Sequence, residues 1–285
     1  MTAPLLRLEK IRKVFTRHGA PPLVAVDDVD LSVAAGEIVA LVGESGSGKS
    51  TLGHIALCLL RPDSGRVYLC GQCISELPEA ELRVARVAMQ PVFQDASASF
   101  NPRRTIANTL RQTLRRLDAA EADARAITLL EQVGIRPARD VLPRYPRELS
   151  GGQRQRLAIA RALAMEPKLI IADEPLSGSD VSIRGQILNL LLDIQRASGV
   201  AYLMITHDIS MARSFAHRVA VMMKGQIVET GLAAAVLDHP QHAYTQRLVA
   251  AVPVLSRKDR PTLASTPPAR PAALPPTPKP QPNEH

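Results

Sequence analysis

The chain of 285 residues has no tryptophan, only four phenylalanines and four tyrosines, and three cysteines. Each shortage excludes something. Cys58, Cys70 and Cys73 cannot build a disulfide framework. Cys70 and Cys73 have C-x-x-C spacing, but a zinc site wants two further ligands and no second pair exists. An ordinary strand and turn is expected there. No stretch approaches the roughly 18–20 uncharged apolar residues that a membrane-spanning helix needs. The longest apolar runs, residues 38–42 and 169–172, have the length of buried strands. The N-terminus lacks a charged-then-apolar signal region with a cleavage site, so a cytoplasmic chain is expected.

Lysine is missing from residues 103–156, where twelve arginines face six acids. Residues 256–285 carry five basic and two acidic side chains, so the rest of the +8 chain is close to neutral. A basic patch suits nucleic acid or an anionic membrane face. Tyr145 is the one aromatic in the arginine-rich segment, so the base-stacking side chains of a single-strand binder are missing. No nucleic-acid partner is expected, and a solvated arginine surface is the plainer reading. With 46% hydrophobic residues, one large domain with a substantial core is within reach.

What is present is a complete phosphate-binding loop, Gly43-Glu44-Ser45-Gly46-Ser47-Gly48-Lys49-Ser50-Thr51. Its glycines let backbone N–H groups turn onto phosphate oxygens, and the helix that follows offers its positive end to the same anion. Lys49 is expected on the β- and γ-phosphates of a nucleoside triphosphate, and the Ser50 hydroxyl on Mg²⁺. The context fits: residues 37–42 read as a short buried strand entering the loop, and residues 49–60 as a helix leaving it. A second motif, Leu149-Ser150-Gly151-Gly152-Gln153, follows a hundred residues later. At average residue usage the loop pattern arises in roughly one chain in a hundred of this length, and the second pattern far less often.

Residues 5–11 and 24–33 carry the runs and alternations of strands, separated by a turn-prone stretch at 17–22. Strand signals vanish from Asn101 to about Pro146, where Ile106, Leu110, Leu114 and Leu117 recur at helical spacing. A helical subdomain inserted into the nucleotide-binding core is expected. Strands at 169–172, 201–206 and 219–222 then alternate with helices at 183–197 and 209–215, which argues for a parallel sheet flanked by helices. The final thirty residues hold nine prolines and are expected to be disordered. The 169–172 strand runs into Asp173-Glu174. An acid there, beside a phosphate loop, supplies the counter-charge for Mg²⁺, which makes Asp173 the metal-side carboxylate. Glu174, one residue on, is placed to polarise a water for attack on the γ-phosphate.

Together, residues 43–51, Gln94, residues 149–153, Asp173-Glu174, Asp180 and His207 resemble the nucleotide-binding subunit of an ATP-binding cassette (ABC) transporter. The resemblance covers nearly the whole chain to about Pro253. It implies an α/β fold: an ABC-type P-loop domain with a mixed or parallel core sheet, an N-terminal antiparallel β subdomain and an inserted helical subdomain. The implied division is a cassette at 1–253, with its helical insertion at about 95–160, a C-terminal extension at about 232–253, and a proline-rich tail at 254–285. It further implies ATP and Mg²⁺ as ligands, with Gln94 sensing the metal and the attacking water. His207 contacts the γ-phosphate and orients Glu174, and Phe15 stacks on adenine, although a core role for Phe15 competes. Ser150, Gly151, Gly152, Gln153 and Asp180 contact the ATP of an opposing subunit, so two subunits sandwich two ATP molecules.

Narrower features resemble the peptide and nickel importer ATPases, in particular the second ATPase of such systems. These are residues 92–95 with 99–103, the run 149–156, Asp180-Val181-Ser182, and the segment His239-Pro240-Gln241-His242-Ala243-Tyr244-Thr245. The implied partners are a different first ATPase, two membrane-spanning permeases and an external solute-binding protein. The implied location is peripheral, on the cytoplasmic face of the inner membrane. The implied activity is ATP hydrolysis coupled to uptake of peptides or a similar small solute. A nickel importer and an ATPase subunit of a soluble non-transport complex, of the phosphonate-degradation type, are the alternatives. Two departures from the pattern stand out: residues 176–180 read Leu-Ser-Gly-Ser-Asp, and Ala243 stands where the extension has proline.

Overall fold

The computed structural model describes residues 3–17, 19–95, 99–176 and 181–251. Asp180 with the loop 177–180, the start of the expected helical insertion at 96–98 and the tail at 254–285 lie outside the described residues. In chain order the elements are β1 (Leu6–Arg17), β2 (Ala20–Val33), β3 (Ile38–Val42), α1 (Lys49–Ala56), β4 (Ser64–Leu69) and β5 (Gln72–Cys73). Then come α2 (Glu79–Ala85), β6 (Met89–Val92), α3 (Ile106–Thr113), α4 (Ala119–Gln132), α5 (Ala138–Val141) and α6 (Gly151–Leu163). The last are β7 (Leu169–Asp173), α7 (Val181–Ser198), β8 (Ala201–Thr206), α8 (Ile209–Phe215), β9 (Arg218–Met223), β10 (Gln226–Leu232), α9 (Ala233–Asp238) and α10 (Ala243–Ala250).

Two sheets organise the molecule. The first is antiparallel, in the order β2-β1-β4-β5; the second runs β10-β9-β3-β8-β7-β6 and is parallel except for β10. The expected fold class is therefore found: an N-terminal antiparallel sheet, a mixed core sheet and a block of helices. Alternation along the central strands assigns the faces of the core sheet. Ala40, Val42, Ile170, Ala172, Met204 and Val221 pack into a core that continues through the helices α3 to α8. Leu41, Ile171, Leu203, Ile205 and Met222 pack into the other, closed by α1 and by β1, β2 and β4. Strands β3 and β8 are buried along their whole length, which is why they read as unbroken apolar runs.

The structure amends several boundaries. β1 and β2 extend well past 5–11 and 24–33, closing as a long hairpin. α1 ends at Ala56, because the backbone turns left-handed at Cys58 (φ 51°) although apolar residues continue to Leu60. Cys70 and Cys73 lie in the turn and short strand after β4, as the sequence suggests.

Candidate nucleotide site

Parallel pairing brings the functional segments to one end of the core sheet. β3 pairs with β8 (Val42 opposite Thr206), β8 with β7 (Ile205 opposite Asp173), and β7 with β6 (Ala172 opposite Val92). The phosphate loop, His207, Asp173-Glu174 and Gln94 each follow or end one of these strands. Residues as much as 164 positions apart thus meet at the carboxyl ends of neighbouring strands, where open α/β sheets bind ligands.

The loop is shaped by its glycines at two points of close approach. A Cβ on Gly43 would lie 2.2 Å from the Met222 carbonyl oxygen, and one on Gly48 (φ 106°) 2.2 Å from that of Ala25. No side chain could occupy either place. Ser47 donates its N–H to the Glu44 carbonyl at 3.2 Å, and Gly225 donates to the Ser47 carbonyl at 2.9 Å, so the loop is tied both to itself and to the β9–β10 turn. Helices α4, α6 and α8 are each capped by a side chain, Asp118, Ser150 and Asp208. Helix α1 begins at Gly48 with no side-chain cap and no acid in its first turn. Its leading N–H groups, with Ser50 and Thr51 in that turn, are therefore offered to an anion.

Lys49 is buried, and its Nζ donates to the carbonyl oxygens of Gly43 at 2.8 Å and Glu44 at 2.7 Å. Burial pulls its pKa down, while the carboxylates of Glu174, Asp173 and Glu44 pull the other way. Ser50 Oγ donates to Asp173 Oδ1 at 3.1 Å. Burial raises the Asp173 carboxyl above its ordinary value, against the Ser50 hydrogen bond. The paired hydroxyl and carboxylate form an all-oxygen donor set of the kind a hard divalent cation takes when phosphates supply the remaining oxygens. Among the described residues no cluster of three or more His, Cys, Asp or Glu could hold a metal alone. Gln94 is exposed two residues beyond β6. Farther on, Ser99 is tied to α6, whose Arg161 donates to the Ser99 carbonyl at 2.6 Å.

Glu174 adopts a left-handed backbone, φ 44°, and donates its N–H to the Ile205 carbonyl at 2.9 Å. Its Oε1 lies 3.1 Å from His207 Nδ1. With an ionised carboxylate as acceptor, the contact requires the tautomer that carries a proton on Nδ1.

Phe15 is 37% exposed and lies opposite Leu23 in the β1–β2 hairpin, two residues before Ala25, whose carbonyl abuts Gly48. It is not a core residue; with Leu23, its partner across the hairpin, it leaves apolar surface exposed. Ser150 caps α6 by accepting from Gln153 N–H, while Gln153 Oε1 accepts from Ser150 N–H at 3.0 Å. Gly151 has open space where a Cβ would be, whereas a Cβ on Gly152 would lie 3.3 Å from the Ile183 side chain. The helix start is thus exposed and away from the chain's own loop hydrogen bonds.

Sequence reading missed one residue that touches the loop. Tyr244, in α10, accepts from the Glu44 N–H at 3.0 Å. Its motif was visible, but nothing local says where α10 packs.

Fold and site together define a P-loop nucleotide-binding protein. Residues 26–177 match the family model described as ABC transporter. The glutathione import ATP-binding protein GsiA of Escherichia coli (strain K12) is 52% identical over 233 residues, which are 81% of this chain and 37% of that protein. The chain thus spans well under half the length of the curated relatives it matches. Among solved structures, the dimeric post-hydrolysis state of the ATP-binding cassette MJ0796 bound to ADP and Pi has a TM-score of 0.72 and 31% identity. It covers 80% of this chain and 98% of that one. The cbiO1 protein from Clostridium perfringens, part of the ABC transporter complex cbiONQ, has a TM-score of 0.73 at 27% identity, covering 83% and 91%. The chain belongs to the ABC transporter family.

Proposed function

We propose that this chain is the ATP-hydrolysing subunit of an importer for peptides or a similar small solute. The observation that carries the reading is the Glu174–His207 pair at 3.1 Å, beside a buried Lys49 and a Ser50–Asp173 contact. Such a set serves phosphoryl transfer to water. Lys49 exchanges its carbonyl partners for the β- and γ-phosphates, and the uncapped start of α1 takes the same oxygens. Glu174 orients the attacking water and accepts its proton, while His207 fixes the carboxylate and reaches the γ-phosphate. Ser50, Asp173 and Gln94 would hold Mg²⁺, which would supply charge neutralisation for the phosphates. Phe15 offers its exposed ring to adenine.

Hydrolysis needs a second subunit. Ser150, Gly151, Gly152 and Gln153, at an exposed helix start, are placed to meet the triphosphate of an opposing subunit; Asp180 is assigned there by family resemblance alone. The dimeric post-hydrolysis state of the similar cassette MJ0796 supports that arrangement. The partner is a different cassette, with two permeases and an external solute-binding protein, and the chain sits peripherally on the cytoplasmic face of the inner membrane. Among the described residues no helix is long and apolar enough to cross a membrane. The exposed arginines of 103–156, among them Arg103, Arg115, Arg136 and Arg147, suit acidic permease loops or anionic headgroups. The name of the 52% identical relative, a glutathione import protein, favours a small peptide-like solute.

The test is to purify the tagged chain from detergent-solubilised cells with ATP and Mg²⁺ and identify what accompanies it by mass spectrometry. Two multi-span proteins and a second cassette are expected; only soluble enzymes would overturn transport.

A further inference from the structure

The peptide unit between Gly43 and Glu44 is held at both ends. Its carbonyl accepts from Lys49 Nζ at 2.8 Å, and its N–H donates to Tyr244 Oη at 3.0 Å. In a trans peptide these groups point in opposite directions, so the lysine and the tyrosine grip one plane from opposite sides. Lys49 belongs to the loop; Tyr244 comes from 200 residues later in the chain. Residues 44–47 and α10 otherwise face each other across a cavity of about 530 Å³, which Arg247 and Leu248 also line. The tyrosine hydroxyl therefore bridges to a loop that α10 does not simply pack against.

Helix α10 is itself fixed. The Glu229 carboxylate on β10 accepts the N–H groups of Gln241 at 2.9 Å and His242 at 3.1 Å. His242 Nδ1 then accepts from Tyr244 N–H at 3.1 Å, capping the helix. Tyr244 is buried, and the Arg247 guanidinium lies 6.0 Å above its ring. A rigid chain of contacts thus runs from the sheet edge through α10 to the start of the phosphate loop.

We propose that Tyr244 is a positioning residue for nucleotide binding: it holds the Gly43–Glu44 peptide in its bound orientation when Lys49 leaves the Gly43 carbonyl for phosphate. The inference rests on the reading of the loop as an ATP site. Without this tie the peptide is free to rotate once Lys49 departs, and the loop must be ordered at the expense of binding energy.

The full chain carrying Tyr244→Phe keeps the ring and loses the acceptor. ATP affinity is measured by calorimetry, and exchange of the Glu44 amide by NMR. The expected result is ATP binding weaker by about three- to tenfold, the scale of one lost hydrogen bond, with Glu44 exchange at least tenfold faster and the thermal midpoint nearly unmoved. Tyr202→Phe is the control, since the buried Tyr202 hydroxyl has no hydrogen-bond partner among the described residues; it should leave both readouts unchanged. Unaltered affinity in Tyr244→Phe overturns the proposal, whether or not Glu44 exchange changes. If the wild-type chain itself binds no ATP, the ATP-site reading fails, and the role given to Tyr244 falls with it. Unchanged Glu44 exchange would then remove the tie as well.

Discussion

Glu174 reaches His207 because its own backbone is bent back onto the neighbouring strand. Its N–H donates to the Ile205 carbonyl, two residues before His207, and its φ of 44° turns the side chain so that Oε1 stands 3.1 Å from the imidazole. A non-glycine residue in the left-handed region costs about 1–3 kcal/mol and persists where its surroundings hold it. Here the cost coincides with the carboxylate proposed to act on water.

Glu174→Gln keeps the shape and removes the proposed base. ATP turnover should fall about a thousandfold, corresponding to roughly 4 kcal/mol of barrier, while ATP binding persists and a closed dimer accumulates. Steady-state phosphate release and size-exclusion chromatography with ATP check both; near-normal turnover would exclude Glu174 as the base.

Lys49 is the buried cation of the site, so Lys49→Ala should sever nucleotide affinity from stability. Saturation of the wild type with ATP at about a hundred times Kd should add about 2.7 kcal/mol to unfolding. The variant should still unfold cooperatively but show no shift with ATP, by differential scanning fluorimetry. A retained shift would mean that the loop binds phosphate without its lysine.

Ser150 caps α6 and is proposed to meet the opposing triphosphate, and two substitutions separate these roles. Ser150→Ala removes the cap of α6 and should destabilise the chain by about 1 kcal/mol. Ser150→Asp preserves the cap but presents a carboxylate to the opposing triphosphate. It should unfold like wild type in urea and yet lose most ATP turnover. Full activity in that variant would remove the helix start from the opposing site.

The Asp173 carboxyl titrates above its ordinary value of 3.8 because burial outweighs the Ser50 hydrogen bond. The folded state then holds the proton more tightly than the unfolded chain. Relative stability is therefore lost as pH rises from 3.8 through the raised folded value. Asp173→Asn lacks this dependence, so its advantage over wild type without nucleotide should grow across that window and then level off. Chemical denaturation between pH 4 and 7 measures the difference; one that does not vary with pH would refute the assignment.

The sequence was most legible where chemistry is built from consecutive residues. Residues 43–51 bring the glycines, lysine and hydroxyls of a phosphate loop together on consecutive positions, and Ser150 and Gln153 cap their own helix through backbone groups a few positions away. The buried strands announced themselves by apolar runs that face two cores. Elements with short or mixed patterns did not: β5 has two residues, and β10, α2, α9 and α10 are only partly buried.

By itself, then, the sequence set out the consecutive motifs on which the proposed phosphate and water chemistry rests, and the alternation that makes an α/β sheet. Tertiary structure decided their neighbours. Register between β3, β8, β7 and β6 put Lys49, His207, Glu174 and Gln94 at one sheet end. The long β1–β2 hairpin left Phe15 exposed beside the loop rather than in the core. The packing of α10 brought Tyr244 to Glu44 across 200 residues. The reason is the range of the forces: a turn or a cap is set by bonds within one stretch of chain, whereas sheet pairing and helix docking follow from burying surfaces that meet only after the chain has folded.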